Sequence, residues 1–348
     1  MPTGSESAQS NEMAGRRVTM EPHRMFRQVP LAPHQLIQDI TPQSDLFVLA
    51  HMGVPHIDID DWTLTVGGLV NESMTFTYDI IRQLPKREIQ AFHQCAGYPK
   101  NPQLPTRRIG NMVWGGADLK TLLELVGVLP AARFLWSFGH DYGEYDGFHA
   151  DPYVKDLPLD RLLQSDVLLA YEINGEPLDA LHGYPLRLLV PGFYGTNSVK
   201  WLSRLELADR RAEGPFNTLL YNDPVAPSPG HPAGGTRPVW HVAPESVIVS
   251  PAPNAKIGRG PVEIWGRAWA DGGVVSVEVS MNGGRSWYAA ELGKQTDRSW
   301  QTFRLAWHPQ GEGNAVLMSR AADKMGAIQP DAGWRNAVYA VPVTMTGL

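Results

Sequence analysis

The 348 residues of this chain include a single cysteine, Cys95. One cysteine cannot close an intrachain disulfide, supply the thiolates of an iron–sulfur cluster, or form the CxxCH motif that attaches a c-type haem. If Cys95 takes part in chemistry, it does so as a lone thiolate. The alternative is a structural cysteine, because free cysteines are mostly buried and inert. This residue by itself leaves the two interpretations evenly balanced.

The sequence also lacks a surplus of basic residues and any long apolar run. Its formal net charge is -6 and its pI is about 6.0, which argues against a nucleic-acid partner, since phosphate binding needs clustered Lys and Arg. No window approaches the roughly 18 uninterrupted apolar residues of a membrane span. Residues 18–22 are too polar for the apolar part of a secretory signal. We expect a cytoplasmic protein, or a periplasmic one if a signal has been removed.

Glycine and proline are abundant instead, with 34 and 29 residues, and they concentrate between Asp223 and Pro253. Such a stretch cannot hold a helix or a central strand. It separates a larger unit from a smaller one of ordinary domain size. The predicted organisation is a flexible tail at 1–40, a catalytic domain at 41–225, a Pro/Gly-rich linker at 226–245 and a second domain at 246–348.

The larger unit mixes both kinds of secondary structure. Residues 62–66 alternate apolar side chains with threonine, which predicts a half-buried strand. Apolar residues recur at helical spacing over 119–126, directly after Asp118, and this pattern predicts an amphipathic helix. Short apolar runs at 167–171 and 186–190 indicate buried strands. The result is an α+β domain.

The smaller unit has the pattern of an all-β domain. Apolar and polar residues alternate over 275–281, and Asn282-Gly283-Gly284 then offers a tight turn before the alternation resumes, so we predict a hairpin. Five further segments show similar alternation, which gives about seven short strands. A β-sandwich of immunoglobulin type fits this pattern, without the paired cysteines of antibody domains.

Basic residues lie close to Cys95 in one segment and among apolar residues in another. In AFHQCAGYPKNP, His93 and Lys100 flank the cysteine, and nearby cations would favour its thiolate. Three further basic residues, His182, Arg187 and Lys200, occur in an apolar stretch. Buried charges are costly without partners, so an anionic ligand is one interpretation. The other is that these side chains stand at strand ends and reach solvent.

Several segments together resemble the sulfite oxidase family of molybdenum enzymes, from about Ser44 to the C-terminus. They are FVLAHMGVP, the Cys95-Ala96-Gly97 segment, RRIGNMVWGGADLKTLLELVG, DVLLAYEINGEPL, HGYPLRLLVPGFYG with SVKWL, and the GRAW and MNGGRSW sequences of the second unit. The resemblance implies an α+β molybdopterin-binding domain followed by an immunoglobulin-like dimerisation domain. It also implies a cofactor of molybdenum with molybdopterin, with no haem or flavin in this chain.

The resemblance also implies roles for individual residues. Cys95 matches the thiolate that binds molybdenum beside the two sulfurs of the pterin dithiolene, and soft ligands suit such a metal. Tyr221 matches an active-site tyrosine that would hydrogen-bond an oxo or substrate oxygen, although an ordinary core tyrosine is the alternative. Asp141 matches an acidic residue that contacts the pterin, with an Asx-turn as the alternative. The remaining positions matched to cofactor binding are Phe47, His51, His182, Arg187, Ser198 and Lys200.

The sequence departs from the family pattern where a sulfite-oxidising member uses arginines to hold its substrate. Leu49 stands where an arginine is expected two residues before His51, and Lys100 stands where one is expected five residues after Cys95. A third arginine is missing near residues 271–274. Lys100 keeps a positive charge and is assigned a catalytic role. Arg107 and Arg108 would replace the missing charges if their loop covered the pocket, but a solvated pair on an exposed loop is the favoured interpretation.

The expected function is two-electron transfer of an oxygen atom, with sulfite oxidised to sulfate. A reductase of a small S-oxide, N-oxide or oxyanion is the alternative, since Leu49 makes a less charged pocket. A non-catalytic binding protein that retains the fold is a second alternative. Since the chain has neither a c-haem motif nor a dinucleotide fingerprint, electrons would pass to an external acceptor, for which we expect a separate cytochrome. The second domain would form a homodimer.

Overall fold

Seven β-sheets organise the residues that the computed structural model describes. These residues are 18–21, 30–97, 101–104, 106–227, 233–333 and 336–346. Two five-stranded sheets form the first domain, a four-stranded and a five-stranded sheet form a sandwich, and three two-stranded sheets complete the set. The predicted α+β domain followed by a β-sandwich is confirmed.

One sheet of the first domain is mixed. Its strands, in spatial order, are Val154–Pro158, Phe134–Gly139, Leu202–Ala208, Thr63–Gly68 and Met74–Thr77. Only Leu202–Ala208 and Thr63–Gly68 run parallel to each other. The alternation predicted at 62–66 is observed, since Leu64 and Val66 are buried in the main core while Thr63 is exposed. Burial of one face fixes the register of this strand.

The other sheet of the first domain carries the cysteine. It contains the antiparallel strands Glu176–Pro177, Leu168–Ile173, Ile109–Asp118 and Lys86–Gln94, with Arg187–Leu189 also paired to Leu168–Ile173. Lys86–Gln94 is the outermost strand of this order, and Cys95 follows it directly. The predicted buried strands at 167–171 and 186–190 are both present within one residue or two of their expected bounds.

Helices are few and short. The α-helices are Tyr78–Gln83, Leu119–Val126, Leu159–Leu162 and Pro215–Thr218, and the 3-10 helices are Pro33–Gln35, Gln43–Asp45, Ala180–His182 and Gly195–Asn197. The predicted helix at 119–126 begins after Asp118, whose carboxylate accepts a hydrogen bond from Lys120 N at 2.9 Å, and it ends at Gly127 with φ +66°. None of the helices among the described residues is long and apolar enough to cross a membrane.

The second domain is a two-sheet sandwich. Its sheets contain Glu245–Ser250, Val262–Trp269, Gln301–Trp307 and Glu291–Leu292 in one, and Lys256–Ile257, Val341–Met345, Gly313–Asp323, Val274–Ser280 and Tyr288–Ala289 in the other. Ile264, Val277 and Phe303 form part of the apolar core between them. The predicted hairpin is confirmed, because Val274–Ser280 pairs antiparallel with Tyr288–Ala289. The described residues give nine strands rather than about seven, because short edge strands have too few residues to show a periodic pattern.

The segment expected to be a flexible tail is part of the fold where it is described. Thr19–Glu21 pairs with Val54–His56, and Leu36 is buried beside the sandwich. Arg267 donates hydrogen bonds to the carbonyl of Leu36 and, at 2.7 Å, to the carboxylate of Asp39. Apolar anchoring and these bonds hold residues 30–40 between the domains. Residues 1–17 and 22–29 lie outside the described part of the chain.

The expected linker is also structured in its described part. Gly235–Pro238 pairs with Asn222–Val225 as an isolated hairpin, a position in which proline is tolerated because no neighbouring strand needs its N–H. Val239 and Val242 are buried, and Val242 N donates to the Gly192 carbonyl at 2.9 Å. The region therefore packs against the first domain. A two-stranded hairpin, Gly143–Tyr145 with Phe148–Ala150, lies elsewhere in that domain.

Gly266 tests the packing of the sandwich. A Cβ at this position would lie 2.0 Å from the Val247 carbonyl oxygen and 2.6 Å from the Phe303 ring. We expect Gly266→Ala to lower the free energy of unfolding by about 1–3 kcal/mol or more, as overpacked cores do. Gly272→Ala is the control, since no described atom lies within 4 Å of its Cβ position. Urea unfolding of both variants measures the difference, and equal stabilities would contradict the packing described here.

Candidate active site

A pocket opens beside Cys95 in the first domain. Four short segments meet there: residues 46–51, the end of the strand Lys86–Gln94, residues 181–187 and residues 195–201. The lining residues that carry polar or charged side chains are His51, His93, Cys95, Asp141, Tyr153, His182, Arg187, Thr196, Ser198, Lys200 and Tyr221. Every predicted site residue in the described part of the chain, with Phe47 included, therefore lies at this one pocket.

Cys95 is buried at the wall of the pocket, with 3% of its surface exposed. Its backbone N donates to the Arg108 carbonyl at 3.0 Å. Small neighbours leave room at the sulfur, since even a Cβ at Gly97 would stay 3.9 Å from Sγ. Among the described residues, no group of three or more His, Cys, Asp or Glu side chains is arranged to hold a metal ion. A metal at Cys95 would thus take its other ligands from a cofactor or from water.

His182 and Arg187 present unused hydrogen-bonding atoms to the pocket. His182 Nδ1 lies 2.8 Å from Asp179 Oδ1, which also accepts from the His182 backbone N at 2.8 Å. Arg187 donates to the carbonyls of His182 and Ser198 at 3.0 and 3.1 Å. His182 Nε2 and Arg187 Nε have no hydrogen-bond partner among the described residues. Buried polar atoms without partners are costly. Arg187 Nε is a donor and fits an acceptor-rich ligand such as a phosphate, whereas His182 Nε2 donates to such a ligand only when the ring is protonated, because Nδ1 already donates to the Asp179 carboxylate.

Lys200 and Asp141 add opposite charges to the same wall. Lys200 Nζ donates to the Leu181 carbonyl at 2.8 Å and lies 4.1 Å from the centre of the Trp201 ring. Burial, with Arg187 nearby, lowers the pKa of Lys200 to about 7. Burial raises the pKa of Asp141 to about 7, against the pull of Lys200. Arg187 is buried and Lys200 is half-buried. Asp141 is the one acidic side chain among the described residues that line the pocket with them, so the pocket favours an anion, while Asp179, whose side chain is 46% exposed, acts on Lys200 from outside the lining.

A glycine makes this cluster possible. Gly183 has φ +114°, and a Cβ there would lie 3.1 Å from Lys200 Cγ and 3.2 Å from Arg187 Cβ. Only glycine adopts this backbone conformation readily. Because Gly183 has no side chain, the side chains of Lys200 and Arg187 can pack directly against the backbone of this turn.

Tyr221 lies beside His51 at the other side of the pocket. Its hydroxyl is 2.5 Å from His51 Nε2, and its backbone has φ +57°, a conformation that is uncommon outside glycine. Burial, with Lys200 and Lys155 nearby, lowers the pKa of His51 to about 3. Burial raises the pKa of Tyr221 well above its usual value. Both groups are therefore neutral at pH 7. The hydroxyl and Nε2 share one hydrogen bond, whose direction depends on the tautomer of His51.

His93 differs from its expected role. Burial, with Arg187 nearby, lowers the pKa of His93 well below its usual value, so it cannot be the cation that favours the Cys95 thiolate. Its ring instead stacks on Phe47 at 5.7 Å, and Nε2 accepts from Arg187 at 3.2 Å. The signal that could have placed His93 at the pocket is its spacing, because residues two apart on a strand share a face.

Lys155 and Tyr153 were not among the predicted site residues. Tyr153 stacks on His51 with ring centres 5.4 Å apart. Lys155 is 1% exposed, donates to the Phe216 carbonyl at 2.7 Å and lies 5.7 Å from the centre of the Tyr221 ring. Nothing in the sequence PYVKDLP distinguishes this lysine from one on a surface strand, so only the fold reveals it.

The expected replacements for the missing arginines fall in different places. Leu49 does line the pocket, whereas Lys100 lies outside the described residues. Arg107 is not on an exposed loop: it is buried, and its Nε lies 3.4 Å from a carboxylate oxygen of Glu245. The interpretation of Arg107 as solvated is therefore wrong, because its guanidinium pairs with a buried carboxylate. Arg187 is the one arginine among the described residues that line the pocket.

Comparison with known proteins gives two family matches. Residues 51–216 match the oxidoreductase molybdopterin binding domain, and residues 236–345 match the Mo-co oxidoreductase dimerisation domain. The first range contains every predicted site residue except Phe47 and Tyr221. Tyr221 lies between the two ranges.

Curated relatives and a solved structure agree with these matches. Sulfite oxidase of Arabidopsis thaliana is 32% identical over 84% of this chain and 82% of its own length. Mitochondrial sulfite oxidase of Rattus norvegicus is 30% identical over 86% of this chain, which spans 59% of that relative. The sulfane dehydrogenase SoxCD structure from Paracoccus pantotrophus has a TM-score of 0.76 and 28% identity, covering 97% of this chain and 92% of that one.

The buried Lys155 gives a stability prediction with a definite sign. Burial lowers the pKa of Lys155 from 10.5 to about 7, so between these values the unfolded chain binds more protons and stability rises with pH. At pH 7, Lys155→Met should be more stable than the wild type by roughly 1–3 kcal/mol, after allowance for the lost hydrogen bond. The gap should shrink towards pH 9.5. Urea unfolding at both pH values measures it.

Lys120→Met is the matched control, because Lys120 lies on the surface with half its side chain exposed. Its stability difference from the wild type should be small at both pH values. If Lys155→Met and Lys120→Met behave alike, Lys155 is not titrating near neutral pH.

Proposed function

Since this chain belongs to the sulfite oxidase family of molybdopterin-dependent oxidoreductases, we propose that it oxidises sulfite to sulfate. The reaction takes one oxygen atom from water: sulfite and water give sulfate, two protons and two electrons. The observation that carries the proposal is the pocket, whose described lining combines a single thiol, Cys95, with the buried Arg187, the half-buried Lys200 and one carboxyl, Asp141. Such a pocket attracts an anionic cofactor and an anionic substrate.

The residues of the pocket fit the pterin cofactor. His182 Nε2 and Arg187 Nε are buried without partners among the described residues. Arg187 Nε and Lys200 are donors, and His182 Nε2 becomes one when its ring is protonated, since Nδ1 donates to Asp179. We assign these three residues, with Asp141, to the pterin and its phosphate, through charge-assisted hydrogen bonds. Phe47 and Ser198 would complete this side of the pocket, and Cys95 would bind the metal. When bound, the molybdenum centre supplies the two-electron redox chemistry and the oxygen-atom transfer.

His51, Tyr153 and Tyr221 form the side of the pocket that we assign to the substrate. Tyr153 is buried and His51 and Tyr221 are half-buried. The pKa shifts keep all three neutral, so they orient a ligand through hydrogen bonds and shape rather than through charge. Tyr221 keeps its proton because burial raises its pKa, and its hydroxyl donates to a sulfite or sulfate oxygen when His51 Nε2 donates to the hydroxyl. Lys100, which lies outside the described residues, remains our candidate for the positive charge that holds the substrate.

A second candidate reaction is favoured by Leu49, which places an apolar side chain at the pocket where a positive charge was expected. The uncharged side chain of Leu49 suits a substrate that carries less negative charge than sulfite. One such substrate is a sulfane sulfur, as the name of the SoxCD relative indicates for that protein. The other is an S-oxide or N-oxide that is reduced instead of oxidised. Both would use the same cofactor residues.

Two partners are part of the proposal. The released electrons pass to an external acceptor, for which we propose a separate cytochrome. The sandwich domain forms a homodimer, which the match of residues 236–345 to a dimerisation domain supports. Light scattering after size-exclusion chromatography should give twice the 38.4 kDa of one chain. A single species at the mass of one chain would contradict the dimer.

The substrate is tested by restoring the missing charge. In holoenzyme assayed with sulfite and an artificial electron acceptor, Leu49→Arg should lower KM by about 10-fold to 100-fold, which is the effect of one added charge-assisted hydrogen bond. Leu49→Met is the control for side-chain size and should leave KM almost unchanged. Cys95→Ser should abolish turnover and lower the molybdenum content measured by mass spectrometry.

Two outcomes would count against sulfite. One is a wild type that turns over a sulfane or an S-oxide but not sulfite. The other is a Leu49→Arg variant that, at full molybdenum content, shows no change in KM for sulfite. A wild type without molybdenum after expression in a cofactor-competent host would remove the enzymatic function altogether.

A further inference from the structure

Glu245 is a buried carboxylate at the junction of the two domains, and no part of the proposed reaction uses it. It is 1% exposed and begins the strand Glu245–Ser250 of the sandwich. One carboxylate oxygen lies 3.4 Å from Arg107 Nε, and the other accepts from Gln94 Nε2 at 2.5 Å. A buried charge of this kind is costly unless its partners are fixed. Both partners belong to the first domain.

Gln94 is the residue directly before Cys95, and the sandwich holds its side-chain amide at both ends. Its Nε2 donates to Glu245, while its Oε1 accepts from Trp269 Nε1 at 3.0 Å. Glu245 and Trp269 are opposite each other on paired strands of the sandwich. The amide has a fixed orientation, because a carboxylate can only accept and an indole N–H can only donate. Gln94 therefore has a single position relative to the second domain.

The strand before the cysteine is held by the sandwich along its length as well. Lys86–Gln94 is an outer strand of its sheet. The edge of this strand that has no neighbour within the sheet pairs with residues 297–298 of the second domain. Phe92 N donates to the Arg298 carbonyl at 3.1 Å, and Arg298 N donates to the Gln90 carbonyl at 3.0 Å. The Asp297 carboxylate accepts from Gln90 N at 3.1 Å. The second domain thus completes the sheet edge that leads to Cys95.

Arg107 extends the same contact to the chain that follows the cysteine. Its guanidinium donates to the carbonyls of Leu104 and Pro102 at 2.7 and 2.5 Å, and its backbone N donates to the Leu31 carbonyl at 2.6 Å. It also lies 4.9 Å from the centre of the Tyr339 ring. Through Arg107, Glu245 is connected to the loop after Cys95. Through Gln94, it is connected to the strand before Cys95.

We propose that Glu245 is a positioning residue for the metal-binding thiol: it joins the segments on both sides of Cys95 and makes the second domain part of the cofactor site. The inference rests on the proposed function only in treating Cys95 as the metal ligand. It assigns the sandwich a role in addition to dimerisation. Loss of the carboxylate charge should loosen both segments at once, while the fold of each domain persists.

The test uses the fact that Cys95 is the only thiol of the chain. The full-length protein, made in a host without the pterin cofactor, is labelled with an aromatic disulfide reagent under native conditions. Glu245→Gln should be labelled at least 10-fold faster than the wild type. Glu263→Gln is the matched control, because Glu263 lies on a neighbouring strand of the same sheet with an exposed side chain paired to Arg304. Its labelling rate should equal that of the wild type.

Trp269→Phe is a second variant, which removes the N–H that holds Gln94 together with part of the buried indole ring. It should also speed labelling, but less than Glu245→Gln does. In the loaded enzyme, Glu245→Gln should release molybdenum faster during dialysis than Glu263→Gln. Both readouts are independent of substrate turnover, so a failure to oxidise sulfite would leave this inference standing.

Two results would overturn the positioning role. In the first, Glu245→Gln folds and is labelled within twofold of the wild-type rate. In the second, its faster labelling follows global unfolding, with the same urea dependence as loss of the whole fold. Faster labelling that is independent of urea at low concentration, with the unfolding midpoint little changed, supports the proposal.

Discussion

The site depends on a deficit of negative charge around two cations that line the pocket, one of them buried and the other half-buried. Arg187 and Lys200 are held among apolar side chains with Asp141 as the acidic neighbour in the pocket, and burial shifts the pKa values of all three towards their neutral forms. A protein without a ligand would gain stability from replacing these charges by apolar groups. Their presence makes sense only if an anion completes the set. The cofactor would supply that anion through its phosphate.

The rest of the fold brings distant parts of the chain together around these charges. The mixed sheet positions Asp141 and Tyr153, the second sheet positions Cys95 and Arg187, and the short 3-10 helix Ala180–His182 positions His182. Because these parts belong to different sheets, the site exists only in the folded chain. The second domain adds a further constraint through Glu245, which is the reason that we include the sandwich in the cofactor site.

Two groups of residues that line the pocket differ in charge, which suits the binding of the cofactor by one group and of the substrate by the other. The wall with Arg187 and Lys200 carries charge and donors. The wall with His51 and Tyr221 is neutral at pH 7, since burial lowers the pKa of the histidine and raises that of the tyrosine. A neutral wall can donate a proton in a hydrogen bond without attracting a second anion strongly. Leu49 extends this neutral character, which is why we propose that these residues, rather than Arg187 and Lys200, select the substrate.

The sequence by itself determined the fold class and the candidate residues that the fold then brings to one pocket. Local periodicity predicted the helix at 119–126 and the hairpin after residue 275, because such patterns report which face of an element is buried. A run of characteristic segments located Cys95 and the basic residues, because each segment keeps its spacing along the chain.

Only the tertiary structure decided the protonation states and the contacts of individual side chains. It showed that His93 is neutral, that Arg107 is buried against Glu245, that Lys155 lies under Tyr221, and that residues 30–40 pack between the domains. Each of these depends on partners that are far away in sequence. Burial and long-range pairing set pKa values and hydrogen bonds, and neither can be read from a residue and its neighbours along the chain.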